Sequence, residues 1–466
     1  MGAQNSKADE AVSGHLTAEE MTTLKKLFNT FNTQVAVVGA KGEKTLCSSY
    51  QDFQRHCENY LHDWLAARVA DKLSIQWPKQ EQLIPLTNYL SFVSDLLKGT
   101  VDEKVNVIWN LAVPTTPTAR DYITAQELVQ YTRSIIESYL KCVEQSPTYR
   151  SWIDAEIGHN LTPDSITDLA EFVLADLLYP GISNKEIINQ SGFAKDSFSR
   201  DDLEKCFLNS ALFQQLHSSV AASCFRLDVD SYFVRLLPSC IKAHPAFLPE
   251  NYSILDHSRI MFLNAHLPTE LRTTWRFLFS TAAHGESFAK MVGQIEGKGP
   301  TIIIIKDQGG RVFGAFSTDS WAFGPKFCGN NNSFLFHLGP KFGSYPSTGY
   351  NTNFQYFNVQ QQTFPNGMGI GGKLEYFGIW LDAEFGKGKS SPSCTTYSCP
   401  QMASSEEFEI HHIEIWGVGP EPKVDENERG ERSILDKDPE TKALLELVDR
   451  GSHSEKMGLR EESHCD

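Results

Sequence analysis

The chain has 466 residues, is 41% hydrophobic and 21% charged, and carries a formal charge of −16. That length exceeds one ordinary core and points to two or three domains, while the hydrophobic share fits a folded chain rather than a disordered one. The negative balance without a basic stripe excludes nucleic acid as a partner, and the ten cysteines form neither a Cys-x-x-Cys pair nor a Cys/His quartet, so no metal or other cofactor is expected.

Residues 1–15 read as a flexible arm carrying an N-myristoylation signal. Met1-Gly2-Ala3-Gln4-Asn5-Ser6 exposes Gly2 as acceptor once Met1 is removed, with Ser6 at the required position. The competing reading is a polar terminus that happens to begin Met-Gly. One myristoyl chain binds bilayers only marginally. No strong second signal supports it here: Asp9 and Glu10 follow Lys7, and Cys47 is distant. There is no apolar leader and no run of about 18 apolar residues that could span a bilayer. Reduced thiols in the cytoplasm or on a cytosolic membrane face follow.

Residues 16–240 read as a helical domain. Thr17 and Glu20 form a capping box, and Leu24, Leu27, Phe28 and Phe31 give the first apolar face. Similar faces run through Tyr60, Trp64, Leu65 and Val69, through Leu86, Leu90, Val93 and Leu97, and across 124–140 and 166–178. Ile123-Thr124-Ala125-Gln126-Glu127-Leu128 is EF-hand-like. Calcium chemistry is not expected, because the loop needs oxygen ligands at alternate early positions and a mid-loop glycine. Asp228-Val229-Asp230 runs into Tyr232 and Phe233, and a loop started at Asp196 meets Phe198 third.

Residues 241–419 change character. A short helix through Leu263 and a second from Pro268 to Phe279 are predicted, followed by strands. The unbroken run Thr301-Ile302-Ile303-Ile304-Ile305 suits a strand buried on both faces, with 311–316 as its hairpin partner across Asp307-Gln308-Gly309-Gly310. Ser333 to Leu338, Tyr376 to Leu381 and Phe408 to Trp416 are further strands, the last changing phase through a bulge at His411-His412. Residues 420–437 form a charged linker and 438–466 a C-terminal helix and tail. Asp438 caps that helix, Pro439 suits its first position, and Leu444, Leu445, Leu447 and Val448 form an apolar face. So short a helix is marginal alone in water, so that face calls for a partner. The fold class is α+β: an all-helical, degenerate EF-hand-like half, an antiparallel β-sandwich with flanking helices, and a C-terminal helix.

His284-Gly285-Glu286-Ser287-Phe288, Phe313-Gly314-Ala315-Phe316, Ser333-Phe334-Leu335-Phe336, Tyr350-Asn351, Gly371-Gly372, Gly378-Ile379-Trp380, Gly386 and Glu414-Ile415-Trp416-Gly417 occur in one order and spacing. By these residues the stretch from about Ser253 to Gly419 resembles the TLDc domain family. The resemblance implies binding to subunits of the vacuolar proton-pumping ATPase and a role in oxidative-stress resistance. For members with a helical N-terminal half it also implies recruitment of the mTOR complex at the lysosomal membrane and growth signalling.

Enzyme motifs fare worse. Gly367-Met368-Gly369-Ile370-Gly371-Gly372 satisfies G-x-G-x-x-G, but a dinucleotide loop must leave a strand and open a helix. Here Pro365-Asn366 precedes it and a strand-like segment follows, so a glycine turn is expected. Gly388-Lys389-Ser390 ends like a P-loop whose first glycine is Ala383. Gly285-Glu286-Ser287-Phe288-Ala289 lacks the closing glycine of a nucleophile elbow, leaving Ser287 as a cap. Adjacent strand residues such as His411 and His412 face opposite ways and share no metal. The rival chemistry is thiol redox at Cys328, Cys394 and Cys399, which stand near lysines. A non-catalytic adaptor is expected, with a thiol-based antioxidant protein as the alternative.

Overall fold

Hydroxyl-to-carboxylate capping boxes open the helices Ala18–Phe28, Val101–Ala112, Ala125–Val143 and Arg200–Asn209. In each, a Thr or Ser and an acid three residues on satisfy two otherwise orphaned N–H groups. The computed structural model describes residues 15–38, 43–76, 82–114, 120–157, 163–227, 232–241, 253–359 and 362–422. Leu24, Leu27, Phe28 and Phe31 are buried, as their spacing predicts.

The reading of 16–240 as wholly helical is corrected by a small sheet. Strands β1 (Gln34–Val38) and β2 (Glu43–Ser49) form a hairpin, and β3 (Ile75–Gln76) and β4 (Gln82–Pro85) extend it in the order β1-β2-β4-β3. The run Val35-Ala36-Val37-Val38 has strand propensity and no helical period. Two further short strands, β5 (Ile123–Thr124) and β6 (Ser197–Phe198), pair antiparallel, and β7 (Ser239–Ile241) leads out of the helical half.

Beyond helix His257–His266, capped by Asp256, the helix expected from Pro268 to Phe279 is replaced by one 3-10 turn, Thr269–Leu271, and strand β8 (Thr274–Ser280). Six of the seven β8 residues are buried, so the polar–apolar alternation that marks a strand is missing. Then come β9 (Thr301–Asp307), β10 (Val312–Ser317), β11 (Gly324–Cys328), β12 (Phe334–Gly339) and β13 (Phe342–Pro346). They are followed by β14 (Gln355–Asn358), β15 (Gly367–Ile370), β16 (Ile379–Asp382), β17 (Lys387–Lys389) and β18 (Glu407–Val418). β9 and β10 are the predicted hairpin, with Ile304 opposite Gly314.

β18 belongs to two sheets. Its first residues pair with β17 at the end of β11-β14-β15-β16-β17, and its remainder lies between β8 and β9 in β7-β8-β18-β9-β10-β12-β13. The register slips between Ile410 and His412, where the bulge was expected. A bulged strand that changes sheets makes the corner of a sandwich.

The second of these sheets is covered on both sides. Ile303, Ile305, Phe313, Ala315 and Leu335 meet Phe357, Met368, Ile370, Ile379 and Leu381 between the sheets. Ile302, Ile304, Phe316, Phe334, Phe336 and Trp416 turn the other way and join one continuous apolar cluster with the helical half. At its centre Trp152, from helix Pro147–Asp154, lies 5.8 Å from Trp275 and 5.3 Å from Trp416 between ring centroids. The sandwich and the helices therefore share a core.

Candidate functional site

The segment between β17 and β18 gathers two of the three flagged thiols. Ser390 Oγ donates to Gly378 O at 3.0 Å and accepts from Met402 N–H at 2.8 Å. Thr396 Oγ1 donates to Asn351 Oδ1 at 2.8 Å, and Tyr397 O–H donates to Ser333 Oγ at 2.9 Å. These bonds press the segment onto Gly371 and Gly378, where an added Cβ would stand 2.8 and 3.2 Å from the Cys394 sulfur. The Cys399 thiol bonds that sulfur and, with the Tyr397 and Thr396 amides, pulls Cys394 down to about 6 against its burial. The bond to Cys394 and burial push Cys399 well up. A thiolate-prone sulfur thus lies beside a thiol, both buried. Cys328 sits elsewhere, on exposed β11; burial of its sulfur and the nearby Asp319 raise it.

The other signals resolve into structure. The Gly367–Ile370 segment is strand β15, between β14 and β16, rather than a turn. A Cβ on Gly367 would meet the Trp380 ring at 2.5 Å, and one on Gly369 the Phe377 ring at 2.3 Å. The glycines seat rings, which stack at 4.7 Å beside Tyr356. Ser287 caps helix Phe288–Ile295, accepting from Lys290 N–H. His412 meets Thr281 Oγ1 at 2.8 Å while His411 is exposed. Lys389 lies on β17 and pairs with Glu407 at 2.9 Å. Among the described residues no group of three His, Cys, Asp or Glu could hold a metal ion, and no described helix could cross a membrane. Gly2 and the tail residues Leu444, Leu445, Leu447 and Val448 lie outside the described residues, as does Asp228-Val229-Asp230.

A charged junction that sequence patterning missed joins the helical half to β13. Lys341 bonds the Tyr179 hydroxyl, stands 4.6 Å from that ring's centroid and reaches Glu171 at 3.7 Å. Beside them, on helix Pro163–Val173, burial and Glu171 push the Asp168 carboxyl up to about 7. A carboxyl raised above its unfolded value opposes folding once it must ionise. The penalty grows as pH rises from the unfolded value and is complete above the folded one. Asp168→Asn should therefore stabilise the chain by roughly 2 kcal/mol at about pH 8, half the full shift because the group is only partly buried, and by nothing near pH 4. Urea unfolding at both pH values tests this; a gain independent of pH would refute it.

The residues that build the sandwich match a known class. The family model "TLDc domain" matches residues 248–419, so this is a TLDc-domain protein with a long helical half. The chain is 32% identical to "MTOR-associated protein MEAK7" of Gallus gallus, over 99% of this chain and 98% of the relative. It is 30% identical to the Homo sapiens protein of that name, over 99% of each. "Nuclear receptor coactivator 7" of Homo sapiens is 28% identical over 37% of this chain and 18% of its own length. The chain belongs to the MEAK7 family of TLDc-domain proteins.

Proposed function

We propose that the chain is a non-catalytic adaptor that works in mTOR signalling on the cytosolic face of the lysosomal membrane and in the cytoplasm. The observation that carries this reading is similarity over nearly the whole length to relatives named for association with mTOR. In the fuller form of the proposal, the TLDc sandwich and the apolar tail face (Leu444, Leu445, Leu447 and Val448) hold subunits of the vacuolar ATPase. A myristoyl group on Gly2 supplies the membrane address. Linked weak contacts raise effective concentration, which offsets a marginal lipid anchor.

The test is affinity capture from lysosomal membranes with the intact chain, a chain ending at Gly419, and Leu444→Asp with Leu447→Asp. Each tail variant should retain about a tenth of the ATPase subunits or less, the loss expected when one of two linked contacts is removed. Equal capture removes the tail from the proposal, and unchanged membrane fractionation of Gly2→Ala removes the lipid. The Cys394–Cys399 pair favours one second reading, a thiol-based peroxide-handling protein. Multiple turnover of peroxide by the purified chain, lost in Cys394→Ser, would replace the adaptor with it.

A further inference from the structure

Residues 120–127 and 195–202 repeat one arrangement. A cation (Arg120, Lys195) precedes an apolar residue on a short strand (Ile123, Phe198), then a hydroxyl N-cap (Thr124, Ser199), then an acid in the first helical turn (Glu127, Asp202). The two copies face each other. Ile123 pairs with Phe198 across the β5–β6 bridge, and Ala125 N–H donates to Asp196 O at 2.9 Å.

This alignment places Phe198 in the bridge, not third in a loop begun at Asp196. Two helices that start side by side at such a bridge, each with an acid in its first turn, have the layout in which the last acid of each of two paired calcium loops grips its ion. Here both acids are already engaged. Arg120 reaches Glu127 at 2.6 Å and Lys195 reaches Asp202 at 2.8 Å. The same carboxylates accept the capping N–H of Thr124 at 2.9 Å and of Ser199 at 3.0 Å. Burial would raise Glu127, but Arg120 and the cap outweigh it and hold it low; Lys195 lowers Asp202.

The surface that exit helices of such a pair would offer a peptide is also covered from within. His217, on helix Ala211–Phe225, stacks on Tyr131 of the first exit helix at 5.6 Å and meets Phe207 of the second edge-on at 5.8 Å.

We propose that Arg120 and Lys195 are resident substitutes for the divalent ions of a paired calcium-loop unit, holding it permanently in one loaded conformation so that the helical half is a calcium-independent support. Without the cations, each acid keeps only its capping N–H bonds and the bridge loosens. Hydrogen exchange on the full chain tests this. In Arg120→Ala with Lys195→Ala, amides of 123–127 and 197–202 should exchange about tenfold faster than in the wild type, while Lys195→Arg, which keeps the charge, should keep wild-type protection at 197–202. In the wild type, millimolar calcium or a chelator should change nothing. The single variants Arg120→Gln and Lys195→Gln serve if the double variant does not fold, each loosening its own loop. Unchanged exchange in the Ala or Gln variants, or slower wild-type exchange with calcium, overturns the proposal.

Discussion

Trp152→Ala should destabilise the entire described unit by about 3–5 kcal/mol, not the helical half alone. The ring is fully buried against Trp275 of β8 and Trp416 of β18, and its indole N–H donates to Pro238 O at 2.6 Å. Truncation removes packing from both halves at once and leaves that carbonyl without its donor. Because the cluster around Trp152 runs on through Ile302, Ile304 and Phe336, the halves should unfold together. Urea titration followed by far-UV circular dichroism and by tryptophan fluorescence should give coincident curves, both shifted in the variant. Two separated transitions, with the later one unmoved by Trp152→Ala, would show that the sandwich stands without its helical support. Trp152→Phe should lose less, since it keeps much of the packing and forfeits one hydrogen bond.

That shared core also explains where sequence reasoning succeeded and where it failed. A capping box is local, so the one at Thr17/Glu20 was legible from four residues. The β9–β10 hairpin was legible because turn residues separate two apolar runs, and the bulge at His411-His412 because apolar residues change parity there. β8 was read as helix because burial on both faces erases the alternation that distinguishes a strand. The glycines of β15 were read as a turn because what they accommodate, the rings of Trp380 and Phe377, arrives from later in the chain. The Lys341–Glu171–Tyr179 contacts and the Arg120–Glu127 and Lys195–Asp202 pairs bring together charges that no hydrophobic period registers. Of the candidate sites, the cysteine pair was legible only as two residues in one polar segment. Its hydrogen bond depends on the fold of that segment over Gly371 and Gly378.

Glu414→Ala should cost about 3–5 kcal/mol, the range for removing a buried charged group from its partners. The Glu414 side chain is wholly inaccessible, and burial pushes its carboxyl up against the pull of three donors. Oε1 accepts the Ser253 hydroxyl at 2.7 Å and the Trp416 indole N–H at 2.8 Å, while Oε2 accepts Ile254 N–H at 2.7 Å. The carboxylate thereby fastens residues 253–254 to β18 and fixes the approach to helix His257–His266, whose Ile260, Phe262 and Leu263 enter the shared core. Alanine strands all three donors in a dry site. Glu414→Gln keeps an acceptor for Ser253 and Trp416 but turns an N–H₂ toward Ile254 N–H, so a smaller loss of about 1–3 kcal/mol follows. The ordering is the discriminating result. If glutamine were as damaging as alanine, the negative charge rather than the bonding pattern would be what the site requires; if alanine were harmless, Glu414 would not be the fastening at all.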